Sequence, residues 1–201
     1  IDQRGTGKTL RDAGEAANRE QLTRARMADD LVELMALVRE RLGAKQVILL
    51  GHSWGNVIGL DAAQRRPAWV AAYVGVGPLM NLQANERAQY EALLAEAGRR
   101  GDKTALAELQ AIAPYPGDGE IPFEKVNVAR KWVMAYGGLA AYRSDANFYF
   151  RAARLSPYYD FEDRVAIDAG GQLSVPALLP DMRRVDPVSY THLRAHETRH
   201  D

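Results

Sequence analysis

The chain has 201 residues, of which 47% are hydrophobic and 26% charged, the balance of a globular protein with a buried core. Its 26 basic residues match its 26 acidic residues, so charge gives no reason to expect nucleic acid or a membrane as partner. The absence of cysteine excludes disulfides, thiolate catalysis and cysteine-ligated metals.

The first part of the chain predicts a loop followed by one long amphipathic helix. Residues 1–17 are rich in glycine and charge and are expected to form a loop. Apolar residues then recur at helical spacing, which predicts a helix over about 19–42. Asn18 is the expected N-cap, and Gly43 is the expected left-handed C-cap.

Two short apolar runs flank a helical segment and predict a parallel βαβ unit. Residues 45–50 and 71–76 are apolar without alternation, which is typical of strands buried on both faces of a parallel sheet. The segment 56–66 between them is helical in composition, and Pro67 marks its end. This order is the unit of a doubly wound α/β fold.

The chain changes character after Pro78 and predicts only helices and loops. The helices are expected over 82–100, 104–112, 123–136 and 145–155, with a turn-rich loop over 114–122. A long helical stretch inserted after a strand indicates a cap, or lid, over a site. The predicted domains are a partial α/β core over 1–80, a helical cap over 81–180 and a final segment over 181–201.

The pentapeptide at 51–55 is the motif that indicates chemistry. It reads Gly-His-Ser-Trp-Gly and matches G-x-S-x-G, in which a serine occupies a sharp turn between a strand and a helix. Flanking side chains would collide with the neighbouring strand and helix, which accounts for Gly51 and Gly55. Ser53 is therefore the predicted nucleophile, and the backbone N–H of Trp54 is the predicted oxyanion donor. The alternative is a Gly-rich turn in which Ser53 only caps the helix.

Two other interpretations of these segments are disfavoured. His52 adjoins Ser53 in the turn, so its side chain is directed away from the serine hydroxyl and it is not expected to act as general base. A phosphate loop would need a glycine five positions before Gly7, where Asp2 stands, which argues against a nucleotide-binding module.

Two segments resemble the proline-iminopeptidase-like α/β-hydrolases. Residues 2–9 resemble that family's D-Q-R-G-x-G-x-S segment, with Thr9 in place of the usual serine. The turn at 51–55, with Trp54 after the nucleophile, resembles its G-x-S-W-G. The resemblance covers residues 1–80, and the helical region is similar only in kind. It implies a partial α/β-hydrolase fold and a serine hydrolase that takes a small molecule or short peptide, without cofactor or metal.

Other parts of that family's catalytic site have no counterpart in this sequence. The resemblance implies a first oxyanion loop upstream of residue 2, and a triad Asp and His on later elements. We therefore expect the chain to be an inactive internal piece of the enzyme, and a leader could precede Ile1. The sequence does not establish the cellular compartment of the protein, and the cytoplasm is slightly favoured. Asp168, Asp181 and Asp186 follow no predicted strand and are expected to be loop or cap residues.

The residues from 188 to the end resemble the conceptual translation of a sequencing adapter. They are expected to be non-native, which removes three histidines from the candidate site residues: His192, His196 and His200. The alternative is a metal site, because spacings of four residues place these side chains on one helical face.

The substrate is left open by the sequence. An aminopeptidase would need an acidic group in the cap to hold the substrate ammonium. Six glutamates lie in that region and nothing selects one of them: Glu86, Glu91, Glu96, Glu108, Glu120 and Glu124. An esterase or amidase with the same machinery and a non-catalytic α/β-hydrolase-like binding protein are the alternatives.

Overall fold

A computed structural model describes residues 1–78, 81–138 and 152–185. In chain order the described elements are α1 (Gly7–Ala13), α2 (Glu15–Arg19), α3 (Arg24–Leu42), β1 (Val47–His52), α4 (Trp54–Arg65), β2 (Val70–Val76), α5 (Leu82–Arg100), α6 (Lys103–Ala111), α7 (Phe123–Ala135) and α8 (Phe161–Arg183), with 3₁₀ turns at Pro67–Trp69 and Ala152–Leu155. The fold is α/β, as predicted.

The chain forms two compact units. One comprises Ile1–Glu20 and Leu82–Pro180 and is called the helical unit; the other comprises Gln21–Asn81 and Asp181–Asp201 and is called the sheet unit. The functional division into core, cap and tail stays a prediction.

The sheet unit contains the predicted βαβ arrangement. β1 and β2 are parallel neighbours, with Leu50 opposite Val74 and His52 opposite Val76. The helix α4 connects them, and its apolar residues Val57 and Ala62 are almost completely buried. The strands and their connecting helix therefore follow the apolar pattern of the sequence.

One face of this sheet is exposed, contrary to the expectation that both faces are buried. Ile48 and Leu50 keep 69% and 70% of their surface accessible, and Val74 and Val76 are also exposed. Gly51 and Gly75 alternate with these residues along the strands and lie on the other face of the sheet, close to Asn56 of α4 and Tyr73 of β2. Within the described residues the sheet has two strands, and only one of its faces is covered.

The N-terminal region is helical where a loop was predicted, and the predicted start of the long helix is wrong. α3 begins at Arg24, where the Thr23 side chain accepts from the Arg26 N–H at 3.2 Å. The predicted cap, Asn18, is instead completely buried: its side chain accepts from Gly5 N–H at 2.7 Å and donates to the Gly14 carbonyl at 2.7 Å. These bonds occupy the amide that was expected to cap the helix.

The 23-residue helix α8 was not predicted. It contains Pro176 and Pro180. Proline lacks the N–H that an internal helical position requires, so these two residues argued against a helix in this segment. Asp168 and Asp181 lie in this helix and not in loops, whereas Asp186 lies outside the described residues.

The helical unit is built mainly from α5, α6 and α7. Their buried residues include Leu93, Leu109 and Val133, and the Tyr90 hydroxyl donates to the Leu109 carbonyl at 2.9 Å. The described residues of this unit contain no strand. The predicted helix over 145–155 lies mostly outside the described residues, which retain Ala152–Leu155 as a 3₁₀ turn. No helix in the described ranges is long and apolar enough to cross a membrane.

Two exposed glycines give a prediction about backbone conformation. Gly43 ends α3 with φ 59°, in the left-handed region as predicted, whereas Gly98 lies inside α5 with open space around its Cα. We expect Gly43→Ala to lower the free energy of unfolding by about 1 kcal/mol, because Ala is strained at positive φ. Gly98→Ala should raise it by about 0.5–1 kcal/mol, because Ala favours the helix. Chemical denaturation would measure both, and equal signs would contradict the assignment.

Candidate active site

Ser53 occupies a strained turn between β1 and α4. Its backbone has φ 51° and ψ −120°, and it is the one non-glycine residue with positive φ among those the structure describes. Such a conformation costs on the order of 1–3 kcal/mol. The residue is exposed, so the turn presents the hydroxyl to solvent at the carboxyl end of β1.

Backbone hydrogen bonds hold this turn against the neighbouring strand. The Ser53 N–H donates to the Val76 carbonyl at 3.0 Å, and the Asn56 N–H donates to the Ser53 carbonyl at 3.0 Å. Trp54 is the first residue of α4, so its N–H is one of the donors that have no acceptor inside the helix. The turn thus offers a hydroxyl next to a backbone donor.

The two glycines that flank the turn differ in their steric role. A Cβ on Gly51 would overlap the Tyr73 hydroxyl and would lie 2.9 Å from Asn56 Cα, so no side chain fits there. A Cβ on Gly55 would meet no described atom within 4 Å. The expected collision therefore applies to Gly51 and is wrong for Gly55 within the described residues.

His52 is the last residue of β1 and lies in register with Val76. It is exposed on the same face of the sheet as Leu50. No other histidine falls within the described residues, because His192, His196 and His200 lie outside them.

Of the candidate acids in α8, Asp181 belongs to the sheet unit and contacts α3. The Asp181 carboxylate accepts from the Arg24 N–H at 2.9 Å and so caps α3. Nearby, Asp61 forms a bidentate pair with the Arg24 guanidinium at 2.6 and 2.7 Å. Both carboxylates line an open cavity of about 430 Å³ that does not include Ser53. Sequence reasoning missed this pair, because nothing in the sequence links residues 24 and 61.

Glu86 is buried and forms an ion pair with Arg130. It is 0% exposed, accepts from the Tyr115 hydroxyl at 2.5 Å and pairs with the Arg130 guanidinium, which also contacts Gln89. Burial and the bond to Glu86 raise the pKa of Tyr115. The Glu86 carboxylate is therefore already paired inside the helical unit, and it is not available to a substrate ammonium.

Two more of the six glutamates are engaged in ion pairs. Hydrogen bonds from Arg99 and Arg100, at 2.7 and 2.6 Å, lower the pKa of Glu96 to about 2. Glu108 accepts from Lys131 at 2.6 Å and from Trp132 Nε1 at 2.9 Å, and the bond from Lys131 lowers its pKa.

The three remaining glutamates are Glu91, Glu120 and Glu124. They are exposed, and they form no ion pair with any residue that the structure describes.

The segment 2–9 is a folded part of the helical unit. The Asp2 carboxylate accepts from the Lys8 N–H at 2.9 Å and from the Tyr159 hydroxyl, and that bond raises the pKa of Tyr159 to about 12. Asp163 is completely buried and pairs with Lys8 at 3.0 Å and with Arg11 at 2.7 Å. These contacts fix the segment to the start of α8.

Metal ligation finds no support in the described ranges, which hold no group of three or more His, Asp or Glu side chains able to bind one ion. The three C-terminal histidines of the alternative metal site lie outside those ranges.

The family described as "Serine aminopeptidase, S33" matches residues 1–115 of the chain. A protein named "Putative carbamate hydrolase RutD" from Rhizobium rhizogenes strain K84 is 26% identical over 190 residues, or 94% of this chain and 65% of that protein. A protein named "Probable aminopeptidase YbaC" from Bacillus subtilis strain 168 is 26% identical over 90 residues, or 45% of this chain and 27% of that protein.

A second protein named "Putative carbamate hydrolase RutD", from Variovorax paradoxus strain S110, is 33% identical over 117 residues, or 57% of this chain and 40% of that protein. The chain thus spans 65%, 27% and 40% of the lengths of these three relatives. No solved structure matches it.

Proposed function

The chain belongs to the serine aminopeptidase S33 family of α/β-hydrolases, and on this premise we propose that the protein hydrolyses an acyl bond through an ester on Ser53. The observation that carries the proposal is the backbone of Ser53, which is strained at φ 51° in an exposed turn at the start of α4. A serine that only caps a helix has an ordinary extended backbone, as Thr23 has at α3. Strain at an exposed residue instead favours a functional role.

The chemistry that this geometry supports is acyl transfer to water. The Ser53 Oγ forms a bond to the substrate carbonyl carbon while its proton passes to a general base, and the leaving group departs with that proton. Water then attacks the ester, and the acid product is released as the serine recovers its proton. The negative oxygen formed in each step would accept from the Trp54 N–H, near the positive end of the α4 dipole.

The general base, and the acid that orients it, are proposed to come from residues outside this chain. Within the described residues the only histidine is His52, which lies on the exposed face of the sheet. The chain spans no more than 65% of the relatives' lengths, so a full-length protein has room for a histidine, an acid and a second oxyanion donor.

We consider two candidate substrate classes, each supported by the name of a relative. The family and one relative carry the word aminopeptidase in their descriptions, and for such a substrate a cap glutamate would hold the ammonium group. Of the six candidates, Glu91, Glu120 and Glu124 remain accessible and unpaired within the described residues. The relative that matches 94% of the chain is named for carbamate hydrolysis, so a small carbamate or amide is the second candidate.

A covalent probe tests the nucleophile. The full-length protein that contains this sequence would be treated with a fluorophosphonate, digested and analysed by mass spectrometry. We expect the label on the peptide that carries Ser53, with no labelling in Ser53→Ala. A folded full-length protein that takes no label would support the non-catalytic binding protein instead.

A substrate panel distinguishes the two classes. Turnover of aminoacyl arylamides that disappears when the α-amino group is blocked would identify an aminopeptidase. Turnover of small carbamates or amides that lack an amino group would identify the second class.

A further inference from the structure

The side chain of Asn56 connects the turn at Ser53 to the adjacent strand. Its Nδ2 donates to the Ser53 carbonyl at 3.1 Å and to the Val76 carbonyl at 2.9 Å. Asn56 itself is 1% exposed, and both bonds are partly buried. One amide therefore joins the strained residue, the first turn of α4 and the end of β2.

Tyr73 fixes the orientation of that amide. Its hydroxyl lies 3.1 Å from Asn56 Oδ1 and 3.2 Å from the Asn56 carbonyl. A tyrosine hydroxyl keeps its proton at neutral pH and can donate to Oδ1; burial raises the pKa of Tyr73 further, to about 12. An amide oxygen that accepts from Tyr73 leaves Nδ2 directed at the two carbonyls.

Three glycines on three different elements make room for this pair. A Cβ on Gly51 of β1 would overlap the Tyr73 hydroxyl, and a Cβ on Gly59 of α4 would lie 2.8 Å from the Tyr73 ring. A Cβ on Gly75 of β2 would lie 2.9 Å from Asn56 Oδ1. The glycines around the turn therefore accommodate Tyr73 and Asn56 as well as the bend itself.

We propose that Asn56 and Tyr73 are positioning residues for Ser53. The Asn56 amide holds the Ser53 carbonyl, which keeps the residue at positive φ and so fixes the Oγ and the Trp54 N–H relative to each other. Tyr73 acts through Asn56 and touches neither the serine hydroxyl nor a substrate. This assignment rests on the proposed function of Ser53, and it adds two residues that the G-x-S-x-G pattern does not contain.

A purely structural role predicts a different outcome from a positioning role. If the Tyr73 ring only fills space, Tyr73→Phe keeps the ring and should leave catalysis unchanged. If the hydroxyl orients the amide, the same change should lower kcat while KM stays constant, because only the alignment of the attacking group is lost.

The experiment compares Asn56→Ala, Tyr73→Phe and Tyr90→Phe in the full-length protein with its best substrate. Tyr90 is the matched control, because it is a buried tyrosine of the helical unit that donates to a backbone carbonyl, Leu109 O, at 2.9 Å. We expect kcat to fall about 100-fold in Asn56→Ala and less, about 10-fold, in Tyr73→Phe, which keeps the Asn56 amide. KM should change less than about twofold, and Tyr90→Phe should retain the wild-type kcat.

The outcomes separate this inference from the proposed function. Wild-type turnover that is lost in Ser53→Ala, with an unchanged kcat in Tyr73→Phe, would overturn the positioning role while the nucleophile stands. Equal losses in Tyr73→Phe and Tyr90→Phe would assign both to general destabilisation and would also overturn it. A wild-type protein without Ser53-dependent turnover would remove the proposed function and the inference together.

Discussion

Replacing Ser53 with alanine in the full-length protein is expected to reduce kcat by about 10⁴–10⁶-fold. The substitution removes the proposed attacking oxygen, the Ser53 Oγ, while the Trp54 N–H and the rest of α4 stay in place. KM should change little, because binding of the uncleaved substrate does not depend on the covalent step. Steady-state kinetics on the best substrate of the panel would measure both constants, and a loss smaller than tenfold would contradict the role of Ser53.

Ser53→Gly is the matched variant. It should lose as much activity as Ser53→Ala, but it should also be more stable than the wild type by about 1 kcal/mol, because glycine relieves the strain at φ 51°. Ser53→Ala retains a Cβ and so keeps that strain. Denaturant titrations of the three proteins would resolve the difference, and equal stabilities would show that the turn is not strained.

Removing Arg130 is expected to destabilise the helical unit strongly. Glu86 is buried without exposure, and the Arg130 guanidinium is its cationic partner. Arg130→Met would leave a buried carboxylate without a counter-charge, which costs about 3–5 kcal/mol in the free energy of unfolding. Tyr115 would remain as a donor, but its neutral hydroxyl cannot replace the charge. Denaturant-induced unfolding would measure the loss.

The double variant Glu86→Gln with Arg130→Met is the control for that prediction. It removes both charges and keeps an amide oxygen that can accept from the Tyr115 hydroxyl. We expect it to recover most of the lost stability, because an uncharged polar group is much less costly to bury than a charge. A double variant as unstable as Arg130→Met would show that the Arg130 side chain acts through packing and not through its charge.

The strands and connecting helix of the sheet unit were predicted correctly because their signals are local, whereas the expected burial of both sheet faces was wrong. The strands, the intervening helix and the C-cap at Gly43 follow from neighbouring residues: a short apolar run, a helical period and a glycine at the position that requires positive φ. The turn at Ser53 follows the same rule, since a strand precedes it and a helix follows it directly.

The parts that were missed depend on contacts between residues distant in sequence. Asn18 resembles a helix cap, yet it is buried and bonded to the loop at Gly5. Glu86 resembles the other five candidate glutamates until its pairing with Arg130, 44 residues away, is seen. Asn56 and Tyr73 carry no motif, and their relation to Ser53 appears only when β2 lies beside β1. Local conformational propensity cannot predict contacts between residues that are distant in sequence.

The close approach of the Tyr73 ring to Gly59 constrains how this region can evolve. While position 73 is aromatic, any mutation that adds a side chain at position 59 would be selected against, because the two would overlap. A smaller residue at 73 would have to be fixed first, and only afterwards could 59 diversify. The same substitution at position 59 would therefore be harmful in one lineage and neutral in another, so that the history of the chain decides which changes remain open to it.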